Sequence, residues 1–346
     1  MRISKIILTV ITGSIAASAF AGNPDRSGQA GASELLINPW AKSSGYGGVN
    51  VGSVRGVEAM YGNVAGIAFT KGTELNFAHT NWLKGADISI NAFGITQKVG
   101  ESGVLGIGAT TMSFGEQDII TDTKPDGGLG TFSPNYTNVS IAYAKEFSHS
   151  IYGGINVKGI SESIHNLSAY GIALDAGIQY VTGKRDEVKL GITLKNIGPT
   201  MRFSGDGLYA KATELTNNKT FAFNYRTEEF ELPALLSMGG SYDFLIADIH
   251  RLTISGAFTS NSFSNDHFAI GAEYAFLTYL SIRGGYTYFG KDRYVDVVSS
   301  AYRGPSTGFS VAIPLGKAGI SIGVDYSYRA TYNFDGVHST GIRLTF

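Results

Sequence analysis

Two-residue alternation is the feature that most limits what this chain can fold into. In residues 336–346, GVHSTGIRLTF, Thr340, Ile342, Leu344 and Phe346 fall on one side of an extended strand. Ser339, Gly341, Arg343 and Thr345 fall on the other. In 319–329, Ile320, Ile322, Val324, Tyr326 and Tyr328 oppose Ser321, Gly323, Asp325, Ser327 and Arg329. In 187–195, Val188, Leu190, Ile192 and Leu194 oppose Lys189, Gly191, Thr193 and Lys195, and in 268–276 an apolar set from Phe268 to Phe276 opposes Ala269, Gly271, Glu273 and Ala275. Such a pattern marks a strand lying between two different environments.

The first segment is for export. Arg2 and Lys5 precede an apolar run over 6–20, and Ala19-Phe20-Ala21 has the small-x-small form of a signal-peptidase site. Cleavage is expected after Ala21, leaving a mature start at Gly22. Beyond it no apolar run reaches the roughly 18 residues of a membrane helix. An exported chain without a spanning helix is either soluble or a closed barrel. With 46 Gly, 19 Tyr and 20 Phe, the composition suits close-packed strands and aromatic girdles. A formal charge of -1 argues against nucleic acid as a partner, and the absence of cysteine excludes disulfides and thiol chemistry.

Residues 22–72 do not alternate. They are rich in glycine, with Gly45, Gly47, Gly48, Gly52, Gly56, Gly62 and Gly66, and they carry Leu35, Leu36, Ile37, Trp40 and Met60. Glycine permits tight turns and close backbone approach, so this segment is expected to pack as a hatch within the barrel. From residue 73 fourteen strands are expected, over 73–82, 86–99, 103–114, 136–146, 150–164, 169–182, 187–198, 232–244, 248–261, 265–277, 280–290, 305–315, 318–331 and 336–346. Asp175, Lys189, Glu273, Arg283 and Asp325 would be costly against lipid, so their side faces the lumen. With the first strand running outward, the long segments 115–135, 199–231 and 291–304 all fall outside and every inside turn is short. Both termini then point to the periplasm. Short inner turns, long outer loops and an even strand count are what outer-membrane barrels have. The expected fold is therefore all-β, a transmembrane antiparallel barrel (73–346) with an N-terminal hatch (22–72) behind a signal peptide (1–21). Ile342, Leu344 and Phe346 form the barrel insertion signal.

The glycine-rich leader, Asn63-Val64-Ala65-Gly66-Ile67-Ala68, Gly103-Val104-Leu105-Gly106 and Lys195-Asn196-Ile197-Gly198-Pro199 resemble the PorV/PorQ family. Its members are outer-membrane proteins of the type IX secretion system, related in fold to FadL-type barrels. One departure stands out: Val64 occupies the place where the family commonly has proline. Gly45, Gly47, Gly48, Asn63 and Gly66 are the hatch-motif residues. The resemblance implies a non-enzymatic role, binding the conserved C-terminal domain of secreted cargo or subunits of the translocon or attachment complex, in contact with outer-membrane lipid. The outer loops would hold the partner; Tyr209, Phe221, Phe223 and Tyr225 in 199–231 are the candidate contacts. The alternative is a FadL-like transporter of hydrophobic small molecules, which would need an apolar pocket and a gap or kink in the wall. A general diffusion porin fits poorly with a filled bore.

No catalytic or metal-binding pattern emerges, and no cofactor is expected. The six histidines have no HxxxH or HExxH spacing. His338 and Ser339 are adjacent on a strand, so their side chains point to opposite faces. Asp118, Asp122 and Asp126 lack the closing carboxylate of a calcium loop.

Overall fold

The computed structural model describes residues 26, 28–213, 216, 219–246, 249–277, 279–290, 300–316 and 320–346. The expected signal segment and most of loop 291–304 lie outside the described residues. The first strands are β1 Thr73–Trp82, β2 Ile88–Val99, β3 Gly103–Ser113, β4 Gln117–Asp118, β5 Thr131–Phe132 and β6 Asn135–Ser148. There follow β7 Ile151–Ile164, β8 Leu167–Thr182, β9 Val188–Ile197, β10 Tyr209–Thr213, β11 Thr220–Asn224 and β12 Leu235–Ile246. The last are β13 His250–Asn261, β14 His267–Phe276, β15 Leu280–Phe289, β16 Tyr302–Leu315, β17 Ile320–Thr331 and β18 Val337–Thr345.

Fourteen of these strands form one closed barrel in which each pairs with its neighbours along the chain, and β1 pairs with β18 at the seam. They are the fourteen expected from the alternation. The remaining four make two small hairpins, β4–β5 and β10–β11, inside segments whose sequence reads as plain loop.

The alternation resolves as an inside and an outside. On β9, Leu190, Ile192 and Leu194 are 50%, 53% and 42% exposed, whereas Lys189, Thr193 and Lys195 are 6% or less. Asp175, Glu273, Arg283 and Asp325 are likewise buried on the inner side. Polar inner residues are hidden because residues 30–72 fill the bore. Val54, Met60, Val64 and Ile67 pack on Val104, Ala142 and Ala144, and Trp40 and Val57 pack on Ala78 and Ala92. Tyr46 and Val49 meet Ala269 on the far wall.

The two ends of this hatch lie at opposite ends of the barrel; the expected mature start at Gly22 lies outside the described residues. Phe346 lies beside the start of β1, where its amide and carbonyl bond those of Thr73. The first described residues lie at the opposite end, among the long loops. Ala30 bridges Glu231, the Gly31 amide donates to the Glu231 carbonyl at 3.1 Å, and the Arg26 guanidinium sits over the Phe263 ring. The hatch therefore runs the full length of the barrel. The physical reason is the apolar set Ala32 and Leu35, which finds its burial partners in Ile160, Ala169, Met201 and Leu232 at the long-loop end.

Candidate functional site

Asn63 joins the hatch to the wall. Its Nδ2 donates to the carbonyls of Val51 at 3.0 Å and Ile178 at 3.1 Å, and its Oδ1 accepts from the Ala65 amide at 3.2 Å. A β-carbon on Gly177 would lie 2.1 Å from that Oδ1, so the wall needs glycine there. Gln179 and Asn156 reach inward from β8 and β7 to the carbonyls of Val54 and Met60. The hatch-motif glycines serve the same fit. A β-carbon on Gly66 would sit 2.1 Å from the Val54 carbonyl oxygen, and one on Gly45 would sit 3.0 Å from Gly308 Cα in β16. Gly47 and Gly48 turn the chain with φ of 71° and 72°, a region costly for other residues. The residues that the sequence singles out are thus spread over the hatch: Gly45 and Gly47 lie against β15, β16 and β17, Asn63 lies against β8 and β9, and Gly66 lies against the hatch's own Val54.

A second set of contacts is charged. The helix Ala41–Gly45 packs against β16, β17 and β18. Glu58 Oε2 accepts from the Ser43 amide at 2.9 Å and from the Ser43 hydroxyl. Burial pushes the Glu58 carboxyl above the usual carboxylate range, with the negative charge of Asp325 adding to it. Burial likewise lowers Lys42, and the Arg343 guanidinium lowers it further. On the wall, Arg283 Nε donates to Glu273 Oε2 at 2.9 Å, and Lys158 Nζ meets Asp175 Oδ2 at 2.6 Å. Asn196, left-handed at φ 59°, donates its amide to Asp175 and accepts from Lys158 at 2.8 Å, which places a bulge between β8 and β9. Lys195 Nζ lies 3.7 Å from the centre of the Tyr61 ring. Pairing offsets the desolvation of these ions and leaves the bore both filled and polar. Lys42 and Glu58 were missed by sequence reasoning; their signal was that, with Arg55, they are ionisable residues inside a glycine-rich segment expected to pack in the bore.

The long-loop mouth is different. A largely apolar cavity of about 150 Å³ lies between the first hatch residues and the start of β12, lined by Leu36, Pro233, Ala234 and Phe263 with Ala30, and carrying Ser33, Asn261 and Ser264 as its polar residues. A smaller one of about 40 Å³ lies on the side of β2, β3, β6 and β7, between Glu34, Leu35, Met112, Tyr136 and Asn138. Burial, and after it the charge of the facing Glu162 on β7, raise the Glu34 carboxyl to about 8. Among the described residues every adjacent pair of barrel strands is hydrogen-bonded, with register shifts only at β6–β7, β8–β9 and β16–β17.

Other sequence-predicted residues are dispersed. Ile342 and Phe346 of the insertion signal face outward at 53% and 52% exposure, with Leu344 half-buried beside them. The four loop aromatics do not share a face. Phe221 pairs with Ala212 and Phe223 with Ala210, whereas Tyr209 pairs with Asn224; cross-strand partners share a face. Phe221, Phe223 and Tyr225 therefore line one side of the β10–β11 hairpin and Tyr209 the other. His338 points outward to the Tyr326 hydroxyl at 2.9 Å, while Ser339 points inward to the Thr80 hydroxyl at 2.7 Å. Among the described residues no three His, Asp or Glu side chains are grouped to hold a metal ion.

No known family profile matches the sequence, and no curated protein matches it. Solved structures do. The chain is similar to a structure described as the CymD monoaromatic hydrocarbon channel, with a TM-score of 0.55 and 14% identity over 90% of this chain and 98% of that one. It is also similar to the Pseudomonas putida toluene transporter TodX, with a TM-score of 0.54 and 12% identity over 89% of this chain and 97% of that one. At such identities the likeness shows the fold alone: a closed antiparallel barrel of fourteen strands like those of these two channels.

Proposed function

We propose that the protein takes up a small apolar molecule at its long-loop mouth, facing the outside, and passes it inward across the outer membrane. One observation carries this reading: the mouth cavity of about 150 Å³ with Leu36, Pro233, Ala234 and Phe263 on its walls. An apolar cavity of roughly 150 Å³ is large enough for a benzene-sized molecule. The likeness in fold to channels described for monoaromatic hydrocarbons and toluene supports the same class of ligand. Beyond the cavity the bore is closed by the hatch, so passage requires the hatch to shift. The test is toluene binding to the purified barrel by saturation-transfer NMR, together with toluene uptake by cells carrying it. Ala234→Trp, which fills the cavity, is expected to reduce binding and uptake at least tenfold. Unchanged binding in that variant, or none in the wild type, rejects the reading.

A second reading, a partner-binding role in type IX secretion, is supported by the β10–β11 hairpin. Phe221, Phe223 and Tyr225 are 53%, 38% and 59% exposed on one face, and aromatic residues are enriched at interface centres. It is tested by pull-down from the native host in mild detergent. Co-purified secreted proteins with a common C-terminal domain support it, and loss of that capture in Phe221→Ser/Phe223→Ser places the contact on the hairpin. A barrel retaining lipid alone counts against it.

A further inference from the structure

The mouth cavity is largely apolar, but one turn of the wall gives it a polar side. The connection from β13 to β14 runs from Asn261 to His267, and Asn261, Phe263 and Ser264 of that stretch all line the cavity. Asn261 is only 7% exposed.

The Asn261 side chain is held in one orientation. Its Nδ2 lies 3.0 Å from the Asn265 carbonyl oxygen and 3.2 Å from His267 Nδ1. An amide nitrogen can only donate, so both contacts are donated bonds and both of its hydrogens are committed. Turning the amide over would set Oδ1 against the Asn265 carbonyl, two acceptors with no hydrogen between them. The turn that fixes the amide is itself tied down. The Asn261 backbone N–H donates to Asp266 Oδ1 at 3.1 Å, and Asn265 Nδ2 donates to the Gly290 carbonyl at 3.1 Å. Oδ1 is left over. No donor among the described residues meets it, and it is not sealed within the wall. On a buried residue that lines the cavity, that oxygen opens onto the cavity. One fixed polar group in an apolar site is what orients a small ligand. The Ser33 and Ser264 hydroxyls also line the cavity, but a hydroxyl can donate or accept, so Asn261 sets which role the ligand must play.

Charge narrows the ligand further. None of the lining residues carries a carboxylate, so an ammonium finds no counter-ion there. The Arg26 guanidinium lies 4.4 Å from the centre of the Phe263 ring, where it repels a cation, and its own charge is answered by Glu231. A neutral donor remains. We propose that the cavity selects a monoaromatic ring bearing a neutral hydroxyl, a phenol, whose O–H donates to Asn261 Oδ1 while the ring lies against Phe263 and Leu36. This rests on the uptake reading above and names its ligand more narrowly. Toluene fills the same space but leaves Oδ1 unmet. In a cavity without an acceptor, taking the phenol hydroxyl out of water costs roughly tenfold in affinity; here the bond to Oδ1 offsets that cost. Asn261 is then a specificity-determining residue. Asn265 and His267 are positioning residues, which turn its oxygen rather than its nitrogen towards the ligand.

The test is competition between phenol, anisole and toluene on the purified barrel, read as dissociation constants by saturation-transfer NMR near neutral pH, where phenol keeps its proton. Phenol is expected to bind within about threefold of toluene. Asn261→Leu, which removes the acceptor, should weaken phenol at least tenfold relative to toluene. Anisole has the oxygen of phenol without its hydrogen, so its ratio to toluene should not respond to that substitution. Wild-type binding of phenol more than about threefold weaker than that of toluene overturns the proposal. So does a phenol-to-toluene ratio that Asn261→Leu leaves unchanged. Should that variant lose the heat-dependent gel shift of a folded barrel, the wild-type ratio decides alone. Toluene bound with phenol excluded sinks this inference and leaves the uptake reading standing, whereas binding of neither removes both.

Discussion

The hatch meets two kinds of wall, and it is held to each by different physics. Towards β3 and β6, the side chains of Val54, Met60, Val64 and Ile67 bury against Val104, Ala142 and Ala144, while the Val54 and Met60 carbonyls accept from Gln179 and Asn156 of the neighbouring strands. Towards β16, β17 and β18, the helix Ala41–Gly45 presents Lys42 and the Ser43–Glu58 pair to a wall carrying Asp325 and Arg343. The apolar side gains its stability from area and close packing and is insensitive to charge. The polar side contributes little net stability, because each buried ion carries a desolvation cost, but it fixes register through directional bonds. One side anchors the hatch and the other selects its position, a division that suits the proposed passage past a shifting hatch.

The largest effect that can break the comparison is on the anchoring side. Ile67 is fully buried, and Ile67→Ala should weaken hatch docking by about 2–5 kcal/mol. Proteolytic cleavage within residues 38–70 and ion conductance in planar bilayers should both rise. If Ile67→Ala leaves both unchanged, the apolar side is not the anchor.

A smaller effect is expected on the polar side. Glu58→Ala leaves the buried Ser43 amide and hydroxyl without their acceptor, a loss of about 1–3 kcal/mol. Glu58→Gln keeps an acceptor and should cost less than about 1 kcal/mol, because the carboxyl is already pushed towards its neutral form. Hydrogen exchange of the 41–45 amides distinguishes the two variants. Equal effects from both would mean that charge, not the hydrogen bond, holds this side.

A pH-dependent effect sharpens the comparison at the mouth. Glu34 is raised from 4.5 to about 8 by burial and by Glu162, so the folded state holds a proton that the unfolded state has released over that range. Its contribution to docking is complete below about pH 4.5, declines as the pH rises, and levels off above about pH 8. Protease resistance of residues 28–37 should therefore fall between pH 5 and pH 8, a window set by that shift. Glu34→Gln should flatten the profile. A wild-type profile that rises with pH would contradict the assignment.

Much of the barrel is legible in the sequence because a strand between lipid and lumen writes its environment at every second residue. Alternation alone sorts Leu190, Ile192 and Leu194 from Lys189, Thr193 and Lys195, and the cost of charge against lipid sorts Asp175, Glu273 and Asp325. The glycines at 45, 47, 48 and 66 and Asn63 are legible as a cluster, but their partners are not. Asn63 bonds the carbonyl of Ile178, and Tyr46 the hydroxyl of Ser255; no local pattern encodes a contact between a hatch and a strand so far along the chain. The loop aromatics are visible as an excess, yet their division between the two faces depends on the β10–β11 register.

The sequence by itself determined the class of fold, the number of barrel strands and the side each residue presents. Those follow from local alternation and from the cost of placing charge against lipid. Only the tertiary structure decided that the hatch runs from one mouth to the other, that Lys42 and Glu58 are buried among wall charges, and that a largely apolar cavity opens beside Phe263. Each of these depends on how distant segments meet when the sheet closes. Closure is a global condition, and a two-residue period has no means of recording it.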